Sequence, residues 1–285
     1  MAHKYSIRSI MYFKTSIALL LAGSTAFAKE EEFKVHRINY EALSSDPLHM
    51  ENTSILIGDQ LSQQGLVSIT GIPGFRQTKR GLMTHLHACI MDQGDSVPEE
   101  IFQDGTVRRT IATVTLPGAG AQPVTYATGE TLSESCQSFN EHLDSFRASV
   151  DEATAAFAGR LSFEMGSSLP TPLMSTSDGS HVFQDIKEVV AAGDHLEHFH
   201  SYQKAKVDTR AAEKETIELH ADQGFFIAFS PGLVVSHKEN NAPDLSQPLV
   251  ESEGFYVKNS NGHRSMVQFS AEDDLIFMMG DGVNQ

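Results

Sequence analysis

Residues 216–229 read TIELHADQGFFIAF, and the fold turns on how this stretch is read. Side chains two apart on an extended strand share a face. On that spacing Ile217, Leu219 and Ala221 form one row, and Glu218, His220 and Asp222 form the other. His220 and Asp222 then direct a neutral imidazole and a carboxylate at one point. Gly224 lets the chain turn without a Cβ clash, and Phe225, Phe226, Ile227 and Phe229 resume a buried run. The plainer alternative is the end of a surface strand with two solvated polar residues.

The neighbouring sequence extends the pattern. HLEHFHSY (195–202), GFYVKNS (254–260), HRSMVQF (263–269) and DDLIFMMGDG (273–282) are short strand-like runs between polar turns. Asn261-Gly262, between two of them, is a strong hairpin signal. Short strands in succession predict an antiparallel sandwich or barrel. The chain before them is mixed. ILIGDQLSQQGLVSITGIPGF (55–75) reads as a helix, a stop at Gly65 and a β-branched strand closed by a turn. RQTKRGLMTHLHACIM (76–91) has helical spacing and TVRRTIATVTL (106–116) alternates like a strand. Leu143, Phe146, Val150, Phe157 and Leu161 fall on one stripe of the longest predicted helix. The expected class is α+β, with a helical and mixed region at 29–175 packed on a β core at 176–285.

Residues 1–28 form a separate unit. Lys4, Arg8 and Lys14 precede the apolar run SIALLLAGSTAFA, which ends in small residues at Ala26 and Ala28. That layout predicts a secretory signal peptide cleaved after Ala28, too short in its apolar part to span a membrane. The composition agrees with an acidic exported protein, with 21 Lys and Arg against 37 Asp and Glu, a net charge of −16. Such a balance, without any clustered cations, excludes nucleic acid as a partner. The expected partner is a small molecule. Cys89 and Cys136 form either a disulfide suited to an oxidising compartment or two buried thiols. Asn52-Thr53-Ser54 is an N-glycosylation sequon.

Imidazole plus carboxylate is the donor chemistry of a non-haem Fe(II) facial triad, completed by one more His. IELHADQGFFIAF resembles the iron-binding stretch of the isopenicillin N synthase-like 2-oxoglutarate/Fe(II)-dependent oxygenases. LSQQGLVSITGIPGF, LEHFHSY and DDLIFMMGDGVNQ are similar, in the same order, to that family's N-terminal segment, its strand ending in tyrosine and its late Gly-Asp strand. The resemblance implies a double-stranded β-helix, or jelly roll. It also implies His220 and Asp222 as iron ligands, Tyr202 as a contact to the 2-oxoglutarate co-substrate, and oxidation of a small molecule. The family's distal iron His and co-substrate Arg have no counterpart before Gln285. The expectation is therefore an oxygenase-like core incomplete at its C-terminus, which keeps the scaffold without the family's full catalytic set. His263, beside the Asn-Gly turn, reads as a solvated histidine rather than a substitute ligand.

A second metal reading uses His198, His200 and His220 as a three-histidine zinc site of the lyase or hydrolase kind, with faint similarity to secreted α-type carbonic anhydrases. A third is a secreted binding protein without catalysis. His85 and His87 read as surface histidines, and of Arg108 and Arg109 at most one points inward.

Overall fold

The computed structural model describes residues 11–15, 32–44, 47–115, 132–165, 173–175, 179–193, 195–203, 216–222, 224–235, 244, 250–251, 254–258 and 263–281. The first strand, β1, is Met11–Thr15, followed by β2 (Glu32–Lys34) and β3 (Arg37–Asn39). Helices α1 (Tyr40–Ser44) and α2 (Pro47–Gln64) come next, then β4 (Leu66–Thr70) and α3 (Phe75–Asp92). After a 3₁₀ turn come β5 (Glu99–Ile101), β6 (Val107–Thr115) and the long α4 (Glu134–Met165). The short pair β7 (Met174–Ser175) and β8 (Val182–Phe183) leads into α5 (Ile186–Ala192) and β9 (His195–Gln203). The remaining strands are β10 (Phe226–Phe229), β11 (Leu233–Val234), β12 (Val250–Glu251), β13 (Tyr256–Lys258), β14 (Arg264–Gln268) and β15 (Leu275–Met279). Among the described residues no helix is long and apolar enough to cross a membrane.

Eight strands form the main sheet in the order β3-β4-β15-β10-β1-β9-β6-β5. It draws strands from both sides of residue 175, so the expected support region and β core share one sheet. A second sheet, β13-β14-β2, contains the predicted hairpin, with Lys258 opposite Arg264. The Asn-Gly turn itself lies outside the described residues. Within the expected leader, Met11–Thr15 runs parallel to both β9 and β10.

Side-chain alternation explains the layering. On β10, Phe226 and Ala228 join the large core with α3 and α4, while Ile227 and Phe229 join a smaller core with Leu66, Ile276 and Val267. One face of the main sheet therefore carries the helices and the other carries the second sheet. The α4 stripe is as predicted: Leu143, Phe146, Val150, Phe157 and Leu161 are all buried. Phe157 stacks on Phe277 of β15 at 4.0 Å, and Phe139 meets Phe199 of β9 edge-on. A disulfide joins Cys89 of α3 to Cys136 of α4.

The cavity face is also set by alternation. On β9, Phe199 points to the helices, and so does Glu197, which forms a buried ion pair with Arg147 of α4. His198, His200 and Tyr202 therefore occupy the opposite face. Across the ladder Thr110 pairs with His200 and Arg108 with Tyr202, which puts Arg108 on that face too.

Candidate metal and ligand site

The expected strand over 216–222 is not formed. Only Phe226–Phe229 is a strand, and residues 216–222 run without regular structure. The two ends of this stretch bond to a side chain and to a loop in place of a ladder. The Thr216 hydroxyl donates to Asp104 at 2.6 Å, and the Asp222 carbonyl accepts from the Asp281 N–H at 2.8 Å. At the far end Gly280 donates to the Phe225 carbonyl at 2.9 Å. Gly280 sits tight against this segment: a Cβ there would lie 2.3 Å from the Gly224 carbonyl oxygen and 3.1 Å from that of Asp222.

The other end is fixed by Asp104. Its carboxylate accepts from the Thr106 N–H and hydroxyl, at 2.9 and 2.8 Å, as well as from Thr216. Burial works to raise its pKa, but these hydrogen bonds outweigh burial and hold it below the ordinary aspartate value. The turn between β5 and β6 thus clamps the start of the His220 segment.

Held at both ends, the segment brings the two predicted ligands together. His220 Nε2 lies 3.5 Å from Asp222 Oδ1. His220 Nδ1 is 2.8 Å from the Glu218 carbonyl oxygen. A carbonyl only accepts, so Nδ1 carries a proton, and in the neutral imidazole Nε2 then presents a lone pair. Anchoring one imidazole nitrogen on a backbone carbonyl is the usual way to orient a metal-binding histidine. Two donors each about 2.1 Å from one ion stand about 3.0–3.5 Å apart at angles near 90–110°. The pair fits a shared divalent cation. His220 is half exposed at 51%, and Asp222 is more sheltered at 17%.

Both residues line a cavity of about 740 Å³ on the sheet face away from the helices. Its floor is Leu66, Ile227, Phe229 and Met278, and its walls include Phe102, Arg108, Tyr256, Lys258 and Arg264. Among the described residues no group of three or more His, Cys, Asp or Glu side chains is placed to hold one ion. His198 and His200 are therefore not gathered with His220, although their rings are 5.4 Å apart on β9. His200 Nδ1 is instead 2.7 Å from the Thr110 hydroxyl. His263 is exposed at the start of β14 and joins no such group.

Tyr202 is on the same face of the sheet but is not among the residues that line the cavity; its ring is 6.4 Å from that of the wall residue Phe102, and its position is directly opposite Arg108. Of the two arginines, Arg108 points inward, while Arg109 pairs with Glu99. Burial opposes the Arg108 charge, yet Tyr202 and Glu100 beside it outweigh that and keep its pKa above the usual arginine value. His85 is partly covered and stacks 6.3 Å from His142 of α4. Burial, reinforced by His142, lowers its pKa.

The architecture has solved counterparts. The chain has the fold of a Neurospora crassa protein solved in complex with alpha-KG. The full-length form of that protein with alpha-KG and 5-formyluracil superposes with a TM-score of 0.54 at 12% identity, over 91% of this chain and 76% of that one. The full-length complex with alpha-KG gives 0.55 at 10% identity, over 87% and 73%. The C-terminally truncated apo form gives 0.54 at 12% identity, over 92% and 86%. No protein-family model matches the chain, and no curated protein does.

Asp104, Thr216 and Gly280 escape the sequence reading. Asp104-Gly105-Thr106 does show a local turn signal, and Gly105 has φ +81°. Nothing local points to Thr216, which lies more than a hundred residues away.

Proposed function

We propose that this protein is an exported 2-oxoglutarate/Fe(II)-dependent oxygenase-like protein of the isopenicillin N synthase-like kind, acting on a small molecule. The observation that carries this reading is the His220–Asp222 pair, with Nδ1 tied to Glu218 and Nε2 turned toward the carboxylate. The Neurospora crassa structures, two of them with alpha-KG, support it through their shared fold. The Cys89–Cys136 disulfide supports passage through an oxidising compartment.

His220 and Asp222 would hold the iron, and the cavity beside them would take the co-substrate and substrate. Such a centre, once loaded, supplies oxidation of an unactivated carbon coupled to decarboxylation of 2-oxoglutarate. The residues of this chain have three tasks in that scheme. Glu218 fixes the imidazole tautomer, Asp104 and Gly280 hold the segment in place, and the apolar floor keeps water from the substrate body. Tyr202, packed beside Phe102 and Arg108, would bear on the co-substrate through those two wall residues.

The test is anaerobic addition of Fe(II) and 2-oxoglutarate to the full chain. The proposal predicts a weak visible charge-transfer band that His220→Ala removes while far-ultraviolet circular dichroism stays unchanged. An equal band in that variant would remove His220 from the site.

A further inference from the structure

We infer that Arg108 anchors the carboxylate of an acid bound in the cavity beside the His220–Asp222 pair. This step concerns the anion and does not depend on iron being the metal.

Arg108 is poised for that role by its surroundings. It lines the cavity, with its guanidinium 5.1 Å from the centre of the Phe102 ring and Tyr202 opposite it across the ladder. Glu100, to which Nη2 donates, and the Tyr202 hydroxyl both act on the guanidinium, whereas Nε itself is buried and makes no hydrogen bond among the described residues. Buried polar groups are nearly always paired, so an orphaned donor on a cavity wall marks a place for an acceptor. Nε and Nη2 form the side of the guanidinium that matches a carboxylate with two parallel bonds. An incoming acid that uses both displaces Glu100, whose side chain is 54% exposed and can swing into solvent. Glu100 is thus a competitor for the same edge.

The rest of the cavity narrows the ligand class. Glu100, Glu218 and Asp222 also line it, which disfavours a multiply charged phosphate, and the floor is apolar. A carboxylate on a compact, largely carbon body fits best. That chemistry has two sources, a 2-oxo diacid such as 2-oxoglutarate or a substrate that is itself an apolar carboxylic acid.

The experiment is calorimetric titration of the full chain in chelator, with 2-oxoglutarate and with 3-phenylpropionate as probes. It is run on the parent and on Arg108→Gln, Arg108→Lys and Glu100→Gln. Loss of a charge-assisted pair predicts roughly 10- to 100-fold weaker binding in Arg108→Gln. Arg108→Lys should recover part of the loss, and Glu100→Gln should bind more tightly than the parent. Which probe binds tells co-substrate from substrate. Three results would each overturn the inference: neither acid binding the parent at millimolar concentration, Arg108→Gln binding within twofold of the parent, or the loss appearing in Arg264→Gln instead. Thermal melting of each variant separates lost binding from lost fold. Iron binding in the same variants is read independently, so the metal proposal and this one can fail separately.

Discussion

At the scale of single residues the placing of His220 and Asp222 depends on backbone contacts as much as on the two side chains. Gly280 is the clearest case, because any side chain there meets the Gly224 carbonyl at 2.3 Å. Backbone cannot yield as a flexible side chain can, so Gly280→Ala should cost about 1–3 kcal/mol. The same change should weaken Fe(II) binding by displacing Asp222. Urea denaturation and a metal titration check the two effects, and unchanged values in both would show that the segment is not held there. The His220–Asp222 pairing is legible in the sequence as a spacing of two, but the reason for it is not. The two side chains converge without a strand, because Asp104 and Asp281 hold the segment through contacts distant in sequence.

At the scale of elements the ends of the site segment are set by its neighbours. The β5–β6 turn clamps it through Asp104, so Asp104→Ala should release residues 217–222 while the core persists. Hydrogen exchange in those amides should quicken, with β9 and β10 protected as before; equal protection of 217–222 would contradict the clamp. Behind β9 the buried Arg147–Glu197 pair also receives Thr113, whose hydroxyl donates to Glu197 at 2.9 Å. Removing one partner of such a pair strands a buried charge, and Arg147→Met should cost about 3–5 kcal/mol. Replacing both with apolar residues should recover most of that loss, which a double-mutant cycle in urea measures. Helices α2, α3 and α4 and strands β4, β6 and β9 are legible because apolar periods of 3.6 and 2 survive in them, while α1, α5 and the shortest strands carry too few residues to show a period. The stretch 216–222 misleads because its alternation mimics a strand while its hydrogen bonds go elsewhere. No local pattern reports that.

At the scale of the whole molecule, one sheet joins the early and late halves of the chain, and α3 is tied to α4 by the disulfide. Its bridged residues are 47 apart in sequence, so the chain-entropy model gives about 4 kcal/mol of stabilisation. Melting of the Cys89→Ser, Cys136→Ser double variant under reducing and oxidising conditions tests this, and an unchanged midpoint would contradict it. Part of the segment expected as a leader also belongs to this sheet. Met11–Thr15 lies between β9 and β10, so a chain beginning at Lys29 loses the strand that joins them. Amides of residues 195–199 and 226–229 should exchange faster in that shorter chain than in the full one. In the sequence residues 1–28 stand out as a charged and apolar unit, and only the sheet order reveals where residues 11–15 pack. The sharing of one sheet across residue 175 is equally hidden, since strand partners far apart in sequence leave no periodic trace.

Anomalous scattering from a crystal soaked anaerobically in Fe(II) decides whether His220 and Asp222 bind one metal ion. If they do, an iron peak lies about 2.0–2.3 Å from both His220 Nε2 and an Asp222 carboxylate oxygen. A peak on His198 and His200, or no peak while His220 hydrogen-bonds directly to Asp222, would contradict it.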